Sequence, residues 1–249
     1  MRVQLPNFFT IHQAKDLVRI GRNNDGGYLV SQSDIKKSDL LIGFGICDDW
    51  SFEEDFALLN DVEVVAYDAS VNMRFWFKRA IVETIKKPLS FYALRKYLSY
   101  VKFFKGKHKH EKKFIGLNSS EAIHCTFVEV LNENSGQNIF FKIDIEGSEY
   151  RFLEDIIAFE DRISGMVIEL HDVDIHLSKI EKFIKNFSLP LVHIHANNCS
   201  PVRAEDNLPL VLELTFSKYC DVTKEFQSPH DLDMPNNKKY PEYEITIKD

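Results

Sequence analysis

Polar and apolar positions change rhythm along this chain. In residues 15–31, KDLVRIGRNNDGGYLVS, Val18 and Ile20 alternate with polar neighbours, Asn24-Asp25-Gly26-Gly27 interrupts, and Tyr28-Leu29-Val30 resumes. Alternation around an Asp-Gly-Gly turn, which supplies positive φ, predicts a hairpin. From residue 40 onward, short and mostly apolar runs without alternation take over: 40–42, 62–67, 114–117, 139–143, 166–170, 191–195 and 210–216. Helical stretches separate most of them, one opened by a Ser51/Glu54 capping box and running through Phe56 and Leu59, others over 150–159 and 177–187. Near-continuous apolar strands with helices between them predict a parallel sheet covered on both faces. The last two runs are joined without a helix, so the final strand is expected to be antiparallel.

Length and composition narrow this to one α/β domain. The chain has 249 residues, 44% hydrophobic and 28% charged, enough for a core without staples. Residues 1–38 read as a hairpin extension, 72–113 as a basic helical insertion, and 218–249, with Pro229, Pro235 and Pro241, as a tail wrapping the surface. Cys47, Cys125, Cys199 and Cys220 are scattered without a CxxC pair, which speaks against a disulfide framework and for a reducing cytosol. No basic-then-apolar leader opens the chain, and no apolar run approaches the roughly 18 residues of a membrane span. A cytoplasmic protein is expected, peripheral to a membrane at most.

Charge is unevenly spread. Residues 74–113 hold 13 Lys/Arg against Glu83 and Glu111, a local balance of +11 in a chain whose net charge is −7. The remainder therefore carries −18. Within the basic segment Trp76, Phe77, Ile81 and Ile85, then Tyr92, Leu94, Tyr97 and Leu98, recur at helical spacing, with a break near Pro88. A basic amphipathic helical hairpin suits an anionic membrane surface or a phosphorylated substrate. His108 and His110 fall in the charge run and read as solvated. The acidity of the rest, and the lack of an RNA-binding motif, speak against nucleic acid.

Ligands of open parallel sheets sit outside the carboxyl ends of the strands. There the sequence sets Gly43, Gly45, Asp48 and Asp49 after the first run and Asp68 after the second. Asn118 follows the third, Asp144, Glu146 and Gly147 the fourth, Glu169, His171 and Asp172 the fifth, and His195, Asn197 and Asn198 the sixth. Gly-x-Gly between strand and helix lets backbone approach a ligand, and Asp68, 23 residues after Gly45, can take two ribose hydroxyls. The third glycine of a dinucleotide motif is missing, and Asp48 and Asp49 make the turn acidic. That suits a cationic nucleoside, S-adenosylmethionine, better than a pyrophosphate.

The stretches LIGFGICDDWSFEEDF, VEVVAYDAS, FFKIDIEGSEYRFLEDI, MVIELHD and HIHANNCSP carry a resemblance. They resemble the FkbM-type family of S-adenosylmethionine-dependent methyltransferases, KIDIEGSE most of all. The resemblance implies a Rossmann-like methyltransferase fold with strand order 3-2-1-4-5-7-6 and O-methylation of sugars or natural products. The acidic residue that the family usually places two before the first glycine is Leu41 here.

The expected cofactor set is Gly43, Gly45, Asp48, Asp68, Asn118 and Asp144, and the expected acceptor side is Asp144, His171 and His195. Two roles compete for the histidines. One is general base to an acceptor hydroxyl. The other is ligation, with Asp144 and with Glu169 or Asp172, of a divalent metal that acidifies the hydroxyl. His193 reads as core. Arg22, Asn24 and Asp25 form either a lid over the ligand or a structural hairpin at the edge of the fold. Two other classes stay open: an NAD-type oxidoreductase and a non-catalytic module that docks through the basic helices.

Overall fold

The computed structural model describes residues 1–86, 91–116, 121–223 and 226–248. Its main sheet has seven strands: β1 (Leu40–Phe44), β2 (Glu63–Tyr67), β3 (His108–Glu111), β4 (Ile139–Ile143), β5 (Ile163–Leu170), β6 (Leu191–Ala196) and β7 (Leu212–Ser217). They lie in the order β6-β7-β5-β4-β1-β2-β3. All neighbours are parallel except β7, which is antiparallel to both β5 and β6. This is the Rossmann-like methyltransferase fold.

The side-chain period of two along each strand explains why two layers cover the sheet. Leu41, Val64, Phe140 and Val167 face a layer made of α1 (Gln32–Lys37), α2 (Ser51–Leu59) and the hairpin strands Leu17–Gly21 and Gly27–Ser31. Ile42, Phe44, Phe141, Ile168 and Leu214 face the opposite layer. Phe127 and Leu131 pack on that side, with Ile156, Ile180 and Phe183 from later helices. The hairpin is therefore not at the edge of the fold. Gly27–Ser31 is buried along its whole length, and Thr215 in β7 donates its Oγ1 hydrogen to Leu29 O at 2.7 Å.

Three expectations need correcting. The strand foreseen at 114–117 does not join the sheet: Phe114–Ile115 pairs with His124–Cys125, and Leu117 lies outside the described residues. The third place belongs instead to His108–Glu111, an edge strand with a single neighbour, whose polar sequence HKHE reads as a charge run. Its His110 is not solvated, because one ring nitrogen meets Tyr100 Oη and the other meets Asp68 O at 2.7 Å. Burial lowers its pKa, so the ring is neutral. Lastly, Ser51 and Glu54 form no capping box: α2 has no side-chain cap, and Glu54 Oε1 takes the Trp50 indole hydrogen at 3.1 Å.

The basic insertion forms α3 (Met73–Lys86) and α4 (Tyr92–Phe103), with Pro88 outside the described residues. Trp76 and Tyr100 anchor the pair on Trp50, at ring-centroid distances of 6.1 and 5.6 Å. At the far side Arg2–Leu5 pairs in parallel with Glu244–Ile247. Among the described residues no helix is long and apolar enough to cross a membrane.

Candidate active site

The carboxyl ends of β1, β2, β4 and β5 open into a cleft of about 880 Å³. Its floor is a crossing of two turns. Gly45 follows β1 with φ +79°, and a Cβ there would sit 1.8 Å from Asp144 O, so only glycine fits. Asp68 locks the same turn. Its Oδ2 accepts from Ile46 N at 3.0 Å and Cys47 N at 2.8 Å, and its Oδ1 accepts from Ser70 N at 2.7 Å and Ser70 Oγ at 2.6 Å. A carboxylate has about four acceptor positions, and here four donors use them. Asp68 thus acts first as the clamp that shapes the turn, and a ribose would bind only by exchanging those bonds.

Beneath the turn Lys142 is buried in β4. Its ammonium donates to Gly45 O at 2.6 Å and to Asp144 Oδ2 at 3.3 Å. Burial disfavours that charge, but Asp144, Glu53 and Glu169 outweigh the cost and raise its pKa. Gly43 lies one layer down and does not line the cleft: a Cβ there would come 2.6 Å from Glu53 Oε1. The glycine makes room for that buried carboxyl. Burial, opposed by Lys142, pushes Glu53 up to about 7.

The far end of the cleft gathers a tyrosine, a histidine and four carboxyl groups. Tyr28 of the hairpin donates to Glu169 Oε2 at 3.0 Å, or to Asp144 Oδ2 at 3.2 Å. Asn197 holds Glu169 Oε1 at 2.9 Å. His171 places Nδ1 3.1 Å from Glu149 Oε1, and its Nε2 3.5 Å from Glu146 Oε2 and 4.0 Å from Glu169 Oε1. Glu149 is fully buried, and its Oε1 also accepts from Ile145 N and Gly147 N. Burial works against the His171 imidazolium, yet the bond to Glu149 and the charges of Glu149, Glu169 and Asp144 lift its pKa to about 9. Burial first, then Asp144 and Glu213, push the Glu169 carboxyl up. At neutral pH the ring is therefore a cation among acids.

Among the described residues seven carboxyl residues line the cleft (Asp25, Asp48, Asp49, Asp68, Asp144, Glu146 and Glu169) against Arg22, Lys142, Arg151 and the His171 imidazolium. Of the residues singled out in the sequence, Gly45, Asp48, Asp68, Asp144 and His171 meet on this one rim, with Arg22 and Asp25 from the hairpin. Asn118 lies outside the described residues.

His195 is elsewhere, and its expected part in catalysis and in a metal site is corrected. It does not line the cleft; it is 5% exposed, with Nδ1 3.0 Å from Glu213 Oε2 and Nε2 2.9 Å from Glu242 Oε1. Both ring nitrogens are spent, one on Glu213 of β7 and the other on Glu242, which fastens the C-terminal tail to β6. His193 does similar work, its Nε2 3.0 Å from Asp233 Oδ1. Tyr28, Glu149 and Lys142 stand outside the site residues expected from the sequence, where Glu149 reads only as an acid in the first turn of a helix. A lysine inside an otherwise apolar strand run was the one available signal.

No family model and no curated protein matches the chain. Among solved structures it is similar to precorrin-6y C5,15-methyltransferase from Geobacter metallireducens (13% identity, 75% of this chain and 84% of that one, TM-score 0.40). It is also similar to a chain of a fibrillarin/Nop5p complex (9%, 73% and 73%, TM-score 0.38). A third is the N-terminal domain of human METTL16 in complex with SAH (14%, 75% and 64%, TM-score 0.36). Likenesses this distant assign neither substrate nor reaction.

Proposed function

We propose that the protein is an S-adenosylmethionine-dependent methyltransferase acting on an oxygen nucleophile, a sugar hydroxyl of a polysaccharide or glycolipid precursor. The observation that carries this reading is the charge of the cleft: seven carboxyl residues against Arg22, Lys142, Arg151 and the His171 imidazolium, at the strand ends where such sheets bind ligands. An acidic pocket attracts a nucleoside bearing a sulfonium and an ammonium. It repels a pyrophosphate, which weighs against a nicotinamide dinucleotide. The donor set fits, and about 880 Å³ is near the top of the range of about 300–1,000 Å³ for small-molecule pockets, room for two reactants.

When bound, S-adenosylmethionine supplies a methyl group on a built-in leaving group. The chain's own residues hold and align. The Gly45 turn brings backbone close to the ligand, and Asp144, its position set by Lys142 and Tyr28, faces the cationic end. Tyr28, Asn197 and Glu169 present a polar wall suited to a polyol, and excluding water supports in-line attack. His171 at Nε2 receives the acceptor proton once it has lost its own, which a cationic ligand beside it promotes.

Calorimetry tests the cofactor. S-adenosylmethionine and S-adenosylhomocysteine both bind, and the methylated form releases more protons, seen as a larger dependence of heat on the ionisation enthalpy of the buffer. No heat with folded protein at high micromolar ligand overturns the reading.

A second reading rests on one cluster: Asp144, Glu146 and His171 each offer a ligand atom, all within 4.8 Å of one another. Glu149 behind His171 Nδ1 leaves Nε2 free to ligate, the usual backing of a metal-bound histidine. These three residues would hold a divalent ion, and its chemistry would be to acidify the acceptor hydroxyl. One pH series separates the roles. With His171 as base, kcat/KM rises with pH toward about 9 and ignores a chelator. Loss of activity on chelation, restored by divalent ion, selects the metal. A flat profile indifferent to chelation removes both.

A further inference from the structure

The basic insertion leaves a surface that the cleft does not use. Phe77, Ile81 and Ile85 recur every four positions along α3, and Leu94, Leu98 and Val101 at four and three along α4, all exposed, Ile85 at 76% and Leu98 at 58%. Such large apolar side chains are ordinarily covered. Arg74, Lys78, Arg79, Arg95 and Lys102 stand exposed among them. Between residues 73 and 103 there are eight Lys/Arg and a single acid, Glu83, for a balance of +7. The opposite side of the pair is already committed, through Trp76 and Tyr100 on Trp50 and through Tyr92 Oη donating to Asp48 Oδ2 at 3.1 Å.

We infer that α3 and α4 form an interfacial platform that docks on an anionic lipid bilayer. Apolar stripes entering the headgroup layer, flanked by cations over anionic headgroups, are what a helix lying in the interface requires. Charge decides against a second copy of the chain, because two faces that each expose Arg74, Lys78, Arg79, Arg95 and Lys102 repel. The platform also accounts for +7 of the +11 gathered between residues 74 and 113 in a chain of net charge −7. Asp48 joins the platform to the rim of the cleft, so docking brings that rim to the membrane surface.

Flotation of the full chain with vesicles tests this and needs neither cofactor nor turnover. The protein floats with vesicles containing phosphatidylglycerol and stays behind with phosphatidylcholine alone, and added salt weakens the binding. Arg74→Gln and Lys102→Gln each weaken partition about fivefold, the equivalent of about 1 kcal/mol per charge. Ile85→Ser and Leu98→Ser, at positions too exposed to disturb the core, weaken it without changing the salt dependence. Three results overturn the inference. One is no flotation at low salt. Another is binding to a soluble polyanion but not to vesicles, which assigns the charge to an acidic partner. The third is a dimer in sedimentation that Leu98→Ser dissolves.

Discussion

Replacing His195 with alanine should destabilise the protein by about 3–5 kcal/mol, because one partner of a buried charged network is removed and two carboxylates stay behind. Glu213 Oε2 and Glu242 Oε1 would lose their contacts at 3.0 and 2.9 Å. In a domain of this size that lowers Tm by roughly 6–20 °C. Burial opposes the His195 charge, but Glu213, Glu242 and Asp233 prevail and hold its pKa well above the ordinary value. A raised pKa stabilises fully below the unfolded value, about 6.5, and the stability fades as pH climbs through the folded one. The gap between wild type and variant should thus be widest in mild acid, already shrink at neutrality and narrow further toward alkaline pH, as urea melts at several pH values would show. A variant as stable as wild type at neutral pH would mean that His195 does not hold the tail.

Gly45→Ala should abolish binding of S-adenosylhomocysteine, by at least about a hundredfold, since misplacement of about 1 Å at such a site costs that much. The new methyl group would sit 1.8 Å from Asp144 O, on backbone with φ +79°. The turns carrying Asp68's partners and Asp144 must therefore separate. Gly106→Ala is the control: φ is similar at +66°, but nothing lies within 4 Å of the added Cβ. It should bind ligand like wild type. Equal affinity in Gly45→Ala, by calorimetry on protein with native circular dichroism, would detach the cleft from the ligand altogether.

The sequence made the centre of this fold legible because burial on both faces leaves a strand little choice of residue. β1, β2, β4 and β5 read as apolar runs, and the acids Asp68 and Asp144 stand out where two of those runs stop. The edge strand His108–Glu111 escaped for the opposite reason: with one neighbour and a half-open face it tolerates HKHE, which looks like solvated charge. His171 and His195 looked equivalent because both end an apolar run. What separates them is the company each keeps across the fold. Glu149 and Glu146 face the first in an open cleft, while Glu242, 47 residues away, closes over the second. Tyr28 was read correctly as a hairpin residue. That the hairpin lies on the sheet and brings this phenol to Asp144, 116 residues on, is tertiary information that no local pattern holds.

Glu213 faces two ways. Its oxygens take His195 and, at 2.8 Å, Asn236 of the tail, while its charge helps raise the proton affinity of Glu169 in the cleft. The C-terminal segment, which bonds Glu213 through Asn236, thus helps fix where that carboxylate stands relative to the pocket wall without itself meeting a ligand.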